Sequence, residues 1–129
     1  MQRFAMEKLV KWKEKKNRKP LIIMGARQVG KTWLMKEFGR QNYAKVAYIS
    51  FFNNNRMKEV FNMDFDIERI IMNLNIESGV SITPEDTLII LDEIQDTPKV
   101  LESLKYFYEN APQYNVVAAG SLLGVALHK

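Results

Sequence analysis

Lys31 and Thr32 stand side by side behind Gly25-Ala26-Arg27-Gln28-Val29-Gly30, and this run fits the phosphate-binding pattern G-x-x-x-x-G-K-[ST] at every fixed position. Polyphosphate is a dense cluster of negative charge. A loop of successive backbone N–H groups that feeds a helix N-terminus meets it with fixed partial positive charge and many donors. Gly25 and Gly30 are read as permitting backbone that a side chain would obstruct and a close approach to the ligand. Lys31 then reaches the β and γ phosphates as a point charge. The Thr32 hydroxyl takes one coordination position of Mg²⁺. Ala26, Arg27, Gln28 and Val29 fill the variable positions, and the nucleotide-contacting stretch is drawn from Gly25 through Trp33. The competing reading is a glycine-rich turn that caps an ordinary helix.

A second motif agrees with the first. Thr87-Leu88-Ile89-Ile90-Leu91-Asp92-Glu93 is a continuous apolar run that ends in two acids, as expected of a strand buried on both faces of a parallel sheet. An Asp at that end can hold the Mg²⁺ that bridges the phosphates, the Walker B role, which falls to Asp92. Glu93 points differently and can accept a proton from an attacking water. Two solvated acids at a strand end are the alternative.

Glu93 also separates reaction classes, because a small-molecule kinase does not require a water-activating Glu at this point and a hydrolase does. Guanine specificity usually brings an Asn-Lys-x-Asp run after a later strand, and the chain has none. ATP hydrolysis is favoured over kinase or GTPase activity.

Composition sets the outer limits. The 129 residues, 47% hydrophobic, suffice for one core. The absence of Cys excludes a disulfide framework and a thiolate metal site, and the single His128 reads as a solvated residue of the tail. No segment approaches the roughly 20 apolar residues that span a bilayer, and the N-terminus lacks the apolar core of a signal peptide. A soluble, cytoplasmic protein is the expectation.

The net charge of +4 is unevenly placed. Residues 1–19 hold eight basic side chains against Glu7 and Glu14, so this segment carries +6 and the remainder −2. Ala5, Leu9 and Trp12, with Met6 and Val10 beside them, make it an amphipathic helix with a basic opposite face. It is taken as a unit apart from a core at 20–129. Its apolar stripe is expected to dock on that core, with nucleic acid or an anionic membrane surface as the alternative partner.

The elements that must position the motifs alternate as in an α/β fold. Strands are expected at Leu21–Met24, at Val46–Phe52, along the run Thr87–Glu93 that carries the acidic pair, and at Asn115–Ala119. A helix from Gly30 to Phe38 is expected to stop at Gly39. Helical pieces follow at Met57–Phe61 and at Ile67–Ile76, the second capped by Asp64 or Asp66. Thr97-Pro98 reads as N-cap and first position of a helix that ends before Pro112. Phe51, Phe52, Tyr106, Phe107 and Tyr108 are assigned to packing.

Arg-Lys-Pro at 18–20, Gly-Ala-Arg-Gln-Val-Gly-Lys-Thr, Leu-Asp-Glu-Ile-Gln at 91–95 and Ala-Gly-Ser-Leu-Leu at 119–123 together resemble the predicted AAA+ ATPases of bacteria and archaea, whose longer chains continue into a domain of unknown function. The resemblance covers essentially the whole chain. It implies a three-layer α/β/α P-loop NTPase fold of order 5-1-4-3-2, here cut after strand four to 1-4-3-2, so that the chain is a fragment of a longer protein. It implies Lys31 and Thr32 as phosphate and Mg²⁺ residues, Asp92 as second metal residue, Glu93 as catalytic base and Ser121 at the sensor-1 position. Asn53 is a candidate switch residue restraining Glu93.

No arginine finger can be assigned, Arg56 and Arg69 being candidates only by elimination, so the isolated chain is expected to bind nucleotide weakly and to hydrolyse it very slowly, if at all. Three functions stay open: an ATPase coupled to rearrangement of a C-terminal domain, a nucleotide-dependent binding switch with little turnover, and a nucleic-acid-handling ATPase that uses the basic helix. Self-association is open as well, and the protein client is not legible.

Overall fold

A computed structural model of the chain describes residues 2–25 and 30–121, with side chains from residue 5 onward. Four strands, β1 (Leu21–Gly25), β2 (Lys45–Ser50), β3 (Thr87–Asp92) and β4 (Asn115–Ser121), form one parallel sheet of order β1-β4-β3-β2. Five helices, α1 (Gln2–Glu14), α2 (Lys31–Asn42), α3 (Asn55–Met63), α4 (Ile67–Ser78) and α5 (Pro98–Asn110), accompany it. This is the expected α/β topology.

Alternation along the strands sorts side chains into two cores. Ala47, Ile49, Ile89, Leu91, Val116 and Ala118 face α3, α4 and α5. Leu88, Ile90, Val117 and Ala119 face the other way, against Met35 and Phe38 of α2 and Leu9 and Trp12 of α1. β3 is buried at every position because both its faces are covered and both its edges are paired. Hence its unbroken apolar run.

α1 docks its stripe on the domain as expected. Leu9 is 3% exposed and Trp12 7%, and the Trp12 indole N–H donates to Lys19 O at 2.7 Å. The Trp12 ring lies 6.3 Å from that of Phe38. Lys13 Nζ reaches Asn42 O at 2.8 Å and fastens α1 to the end of α2.

Several helix ends follow local chemistry. Asp66 caps α4 by accepting from Arg69 N–H, and Gly79, at φ 72°, closes it. Asn54 caps α3, its side chain accepting from Met57 N–H at 3.2 Å. Thr97 and Pro98 open α5 as anticipated, although the Thr97 hydroxyl makes no cap bond.

Several expectations fail, among them that Tyr108, which is 36% exposed, is packed. Gly39 does not stop α2, which runs on to Asn42. A Cβ at Gly39 would fall 2.6 Å from Val46 Cγ2 and 3.0 Å from Leu88 Cδ2, so this glycine lets the helix approach the sheet. β2 ends at Ser50, two residues early. Phe52, just beyond it, is 64% exposed and so is not accounted for by packing, whereas Phe51 and Phe107 are buried.

Candidate functional site

The C-terminal ends of parallel strands form the crevice where open α/β sheets take ligands, and the described site residues gather there. Ala26, Arg27, Gln28 and Val29 lie outside the described residues, as does the tail from Leu122 with His128. The flanks of the loop are described. Gly25 closes β1, and among the described residues a Cβ on it would meet nothing within 4 Å. Gly30, at φ 99°, is left-handed at the N-cap of α2, a conformation that side chains disfavour. α2 therefore begins at Lys31 with no side-chain cap, and the first N–H groups of a helix have no partner within it.

Lys31 Nζ donates to Gly120 O at 2.9 Å, which ties the start of α2 to the end of β4. Thr32, one residue on, donates its hydroxyl to Asp92 Oδ2 at 2.7 Å. Trp33 turns outward, 52% exposed.

Asp92 is 1% exposed. A buried carboxylate is costly unless its oxygens are bonded, and here three donors converge. Besides Thr32, the Tyr48 hydroxyl donates to Oδ2 at 2.8 Å and Glu93 N–H donates to Oδ1 at 2.9 Å. Burial, then the hydrogen bond to Asp92, pushes the Tyr48 phenol well above its usual range, so it stays a donor. Lys36 Nζ sits 4.0 Å from the Tyr48 ring centre, a cation over the aromatic face.

Glu93 follows in left-handed backbone at φ 59°. For a residue with a Cβ this costs about 1–2 kcal/mol, and such outliers concentrate at functional sites. The chain leaves the strand there, so Glu93 diverges from Asp92. Its carboxylate accepts from Gln95 Nε2 at 3.0 Å, while Gln95 Oε1 accepts from Ser121 N–H at 3.0 Å. Gln95, not Asn53, thus holds Glu93. Asn53 is exposed at φ 52°.

The structure therefore brings Lys31, Thr32, Asp92, Glu93 and Ser121 together and adds Tyr48 and Gln95, which the sequence did not single out. Tyr48 carried only a weak signal, a polar aromatic in an apolar strand. Gln95 belonged to a motif without a role. Arg56 pairs with Glu77 and Arg69 with Asp64, and these contacts tie α3 to α4.

Thr32 and Asp92 supply hard oxygen donors close together, a set that suits Mg²⁺, which keeps several waters and shares phosphate oxygens. Among the described residues no cluster of three acidic, His or Cys side chains exists to hold a metal by itself. No helix among them is long and apolar enough to cross a membrane.

No curated protein matches the chain. A family model described as an AAA domain matches residues 17–129, which takes in the loop, β3 with its acids and β4. The chain belongs to the AAA domain family and is a nucleotide-binding P-loop ATPase module.

Proposed function

We infer that the module hydrolyses ATP in a Mg²⁺-dependent reaction. The observation that carries this reading is the convergence, at one end of the sheet, of a loop-flanking Lys31, a Thr32–Asp92 pair and a separately directed Glu93. The loop and the α2 N-terminus would bind the phosphates, with Lys31 balancing their charge. Thr32 and Asp92 would hold Mg²⁺, which would supply positive charge against the charge that develops on the phosphate. Glu93 would take the proton of the attacking water as that water's oxygen bonds to the γ-phosphorus and the bond from that phosphorus to the β–γ bridging oxygen breaks, so that ADP leaves with the electron pair. Ser121, at the end of β4, would sense the γ-phosphate or the water through its hydroxyl.

Hydrolysis would be coupled to rearrangement of a C-terminal region, and the protein would work in the cytoplasm. The stripe of α1 is occupied by the domain, which supports a structural role for the basic helix ahead of nucleic-acid binding.

Isothermal titration with Mg-ATP, with Mg-GTP and Lys31→Ala as controls, tests the binding half. Saturable ATP binding that Lys31→Ala abolishes is expected. Turnover of the full-length protein tests the other half: Glu93→Gln should lower kcat by about 10²-fold or more, the usual weight of a general base. Turnover indifferent to that substitution would refute the assignment.

A further inference from the structure

The Gly120–Ser121 peptide is bonded at both ends. Its carbonyl accepts from Lys31 Nζ at 2.9 Å and its N–H donates to Gln95 Oε1 at 3.0 Å. The other end of the same side-chain amide, Gln95 Nε2, donates to Glu93 Oε1 at 3.0 Å. A lysine ammonium only donates and a carboxylate only accepts, so every bond runs in the same direction from Lys31 to Glu93. Hydrogen bonds in such a chain polarise one another.

The seat of the amide is built. A Cβ at position 120 would fall 3.1 Å from Gln95 Oε1 and 3.2 Å from both Gln95 N and Met24 Cε. Ile94 N–H, bonded to Ala119 O at 3.1 Å, fixes the turn between Glu93 and Gln95 against β4. One end of the chain is thus the lysine beside the phosphate loop, and the other is the carboxylate in left-handed backbone.

We propose that Gln95 is a positioning residue that couples phosphate engagement by Lys31 to the orientation of Glu93. This rests on the ATPase reading above. Phosphate oxygens compete with the Gly120 carbonyl for the Lys31 ammonium. A shift of Lys31 toward them alters its hold on the Gly120–Ser121 peptide, and through Ser121 N–H the amide that orients Glu93. The bond at each step passes between named atoms, and no covalent chemistry is involved.

The test uses the full-length protein. Gln95→Leu removes both amide bonds, whereas Gln95→Glu keeps an acceptor for Ser121 N–H and sets a carboxylate against Glu93. Both should leave the Kd for a non-hydrolysable Mg-ATP analogue within about twofold while kcat falls about tenfold or more, and neither should lower kcat further in a Glu93→Gln background, since groups acting as a unit are not additive. The Gln95 side-chain amide resonance, assigned by its loss in Gln95→Leu, should move when the analogue saturates the wild type.

An unchanged kcat in Gln95→Leu, an equal loss in both backgrounds, or an amide resonance that stays in place overturns the coupling. Failure of the ATPase reading shows differently: turnover then survives Glu93→Gln, and the amide response alone decides whether Gln95 reports on Lys31.

Discussion

Thr32 Oγ1 donates to Asp92 Oδ2 at 2.7 Å although 60 positions separate the two residues. One belongs to the first turn of α2 and the other closes β3. The bond ties the loop's helix to the strand that carries the second acid, and it leaves both oxygens where a hard cation can use them.

Asp92→Ala removes the acceptor of Thr32, Tyr48 and Glu93 N–H together. Leaving partly buried donors unpaired should cost roughly 1–3 kcal/mol, read as a lower urea midpoint. Asp92→Asn keeps one acceptor oxygen and should cost less. If Asp92 also holds Mg²⁺, ATP affinity in that variant becomes alike in Mg²⁺ and in EDTA, whereas the wild type distinguishes them.

Gly39→Ala sets two effects against each other. Alanine favours helix over glycine by about 1 kcal/mol, but the new methyl would meet Val46 Cγ2 at 2.6 Å and Leu88 Cδ2 at 3.0 Å. Overpacking costs about 1–3 kcal/mol, so a net loss of stability is expected in chemical denaturation. Val46→Ala introduced alongside should recover part of it, and a gain in stability by the single variant would show that α2 can move off the sheet.

Trp12 joins α1 to the domain through its indole bond to Lys19 O and its packing on Phe38. Trp12→Ala should destabilise by about 3–5 kcal/mol, the usual cost of deleting a large core aromatic. A loss below about 0.5 kcal/mol, the range of surface changes, would mean that α1 is an appendage and would reopen the basic helix as a free binding element.

Burial pushes the Tyr43 phenol up to about 12 against the opposing pull of Arg18. Its hydroxyl donates to Asn115 Oδ1 at 3.0 Å. The fold favours the neutral phenol, so the associated stability is complete below the unfolded pKa of about 10 and is lost as pH rises through about 12. Tyr43→Phe should be less stable at neutral pH by about 1 kcal/mol for the lost bond, yet decline less steeply above pH 10. Denaturant midpoints collected across that range decide it, and parallel curves would contradict the assignment.

Local order was readable from the residues wherever the cause was local. Apolar runs bounded by Pro, Asn and Gly mark the strands, Asp66 caps its helix within three residues, and the G-x-x-x-x-G-K-T spacing identifies the loop because phosphate geometry demands it. Even the burial of β3 on both faces was legible, since a strand without a solvated face has no polar alternation.

Tertiary structure decided what depends on partners far along the chain. Gly39 looks like a helix stop by local rules and is a contact point with Val46 and Leu88. Tyr48 becomes part of the site only because β2 lies beside β3, with its hydroxyl reaching a residue 44 positions away. Gln95 matters only because β4 brings Ser121 within 3.0 Å of its amide. The periodicities of a chain record which face a residue presents, whereas the donor that meets an acceptor across a crevice is chosen by how strands are ordered and how closely helices pack on them.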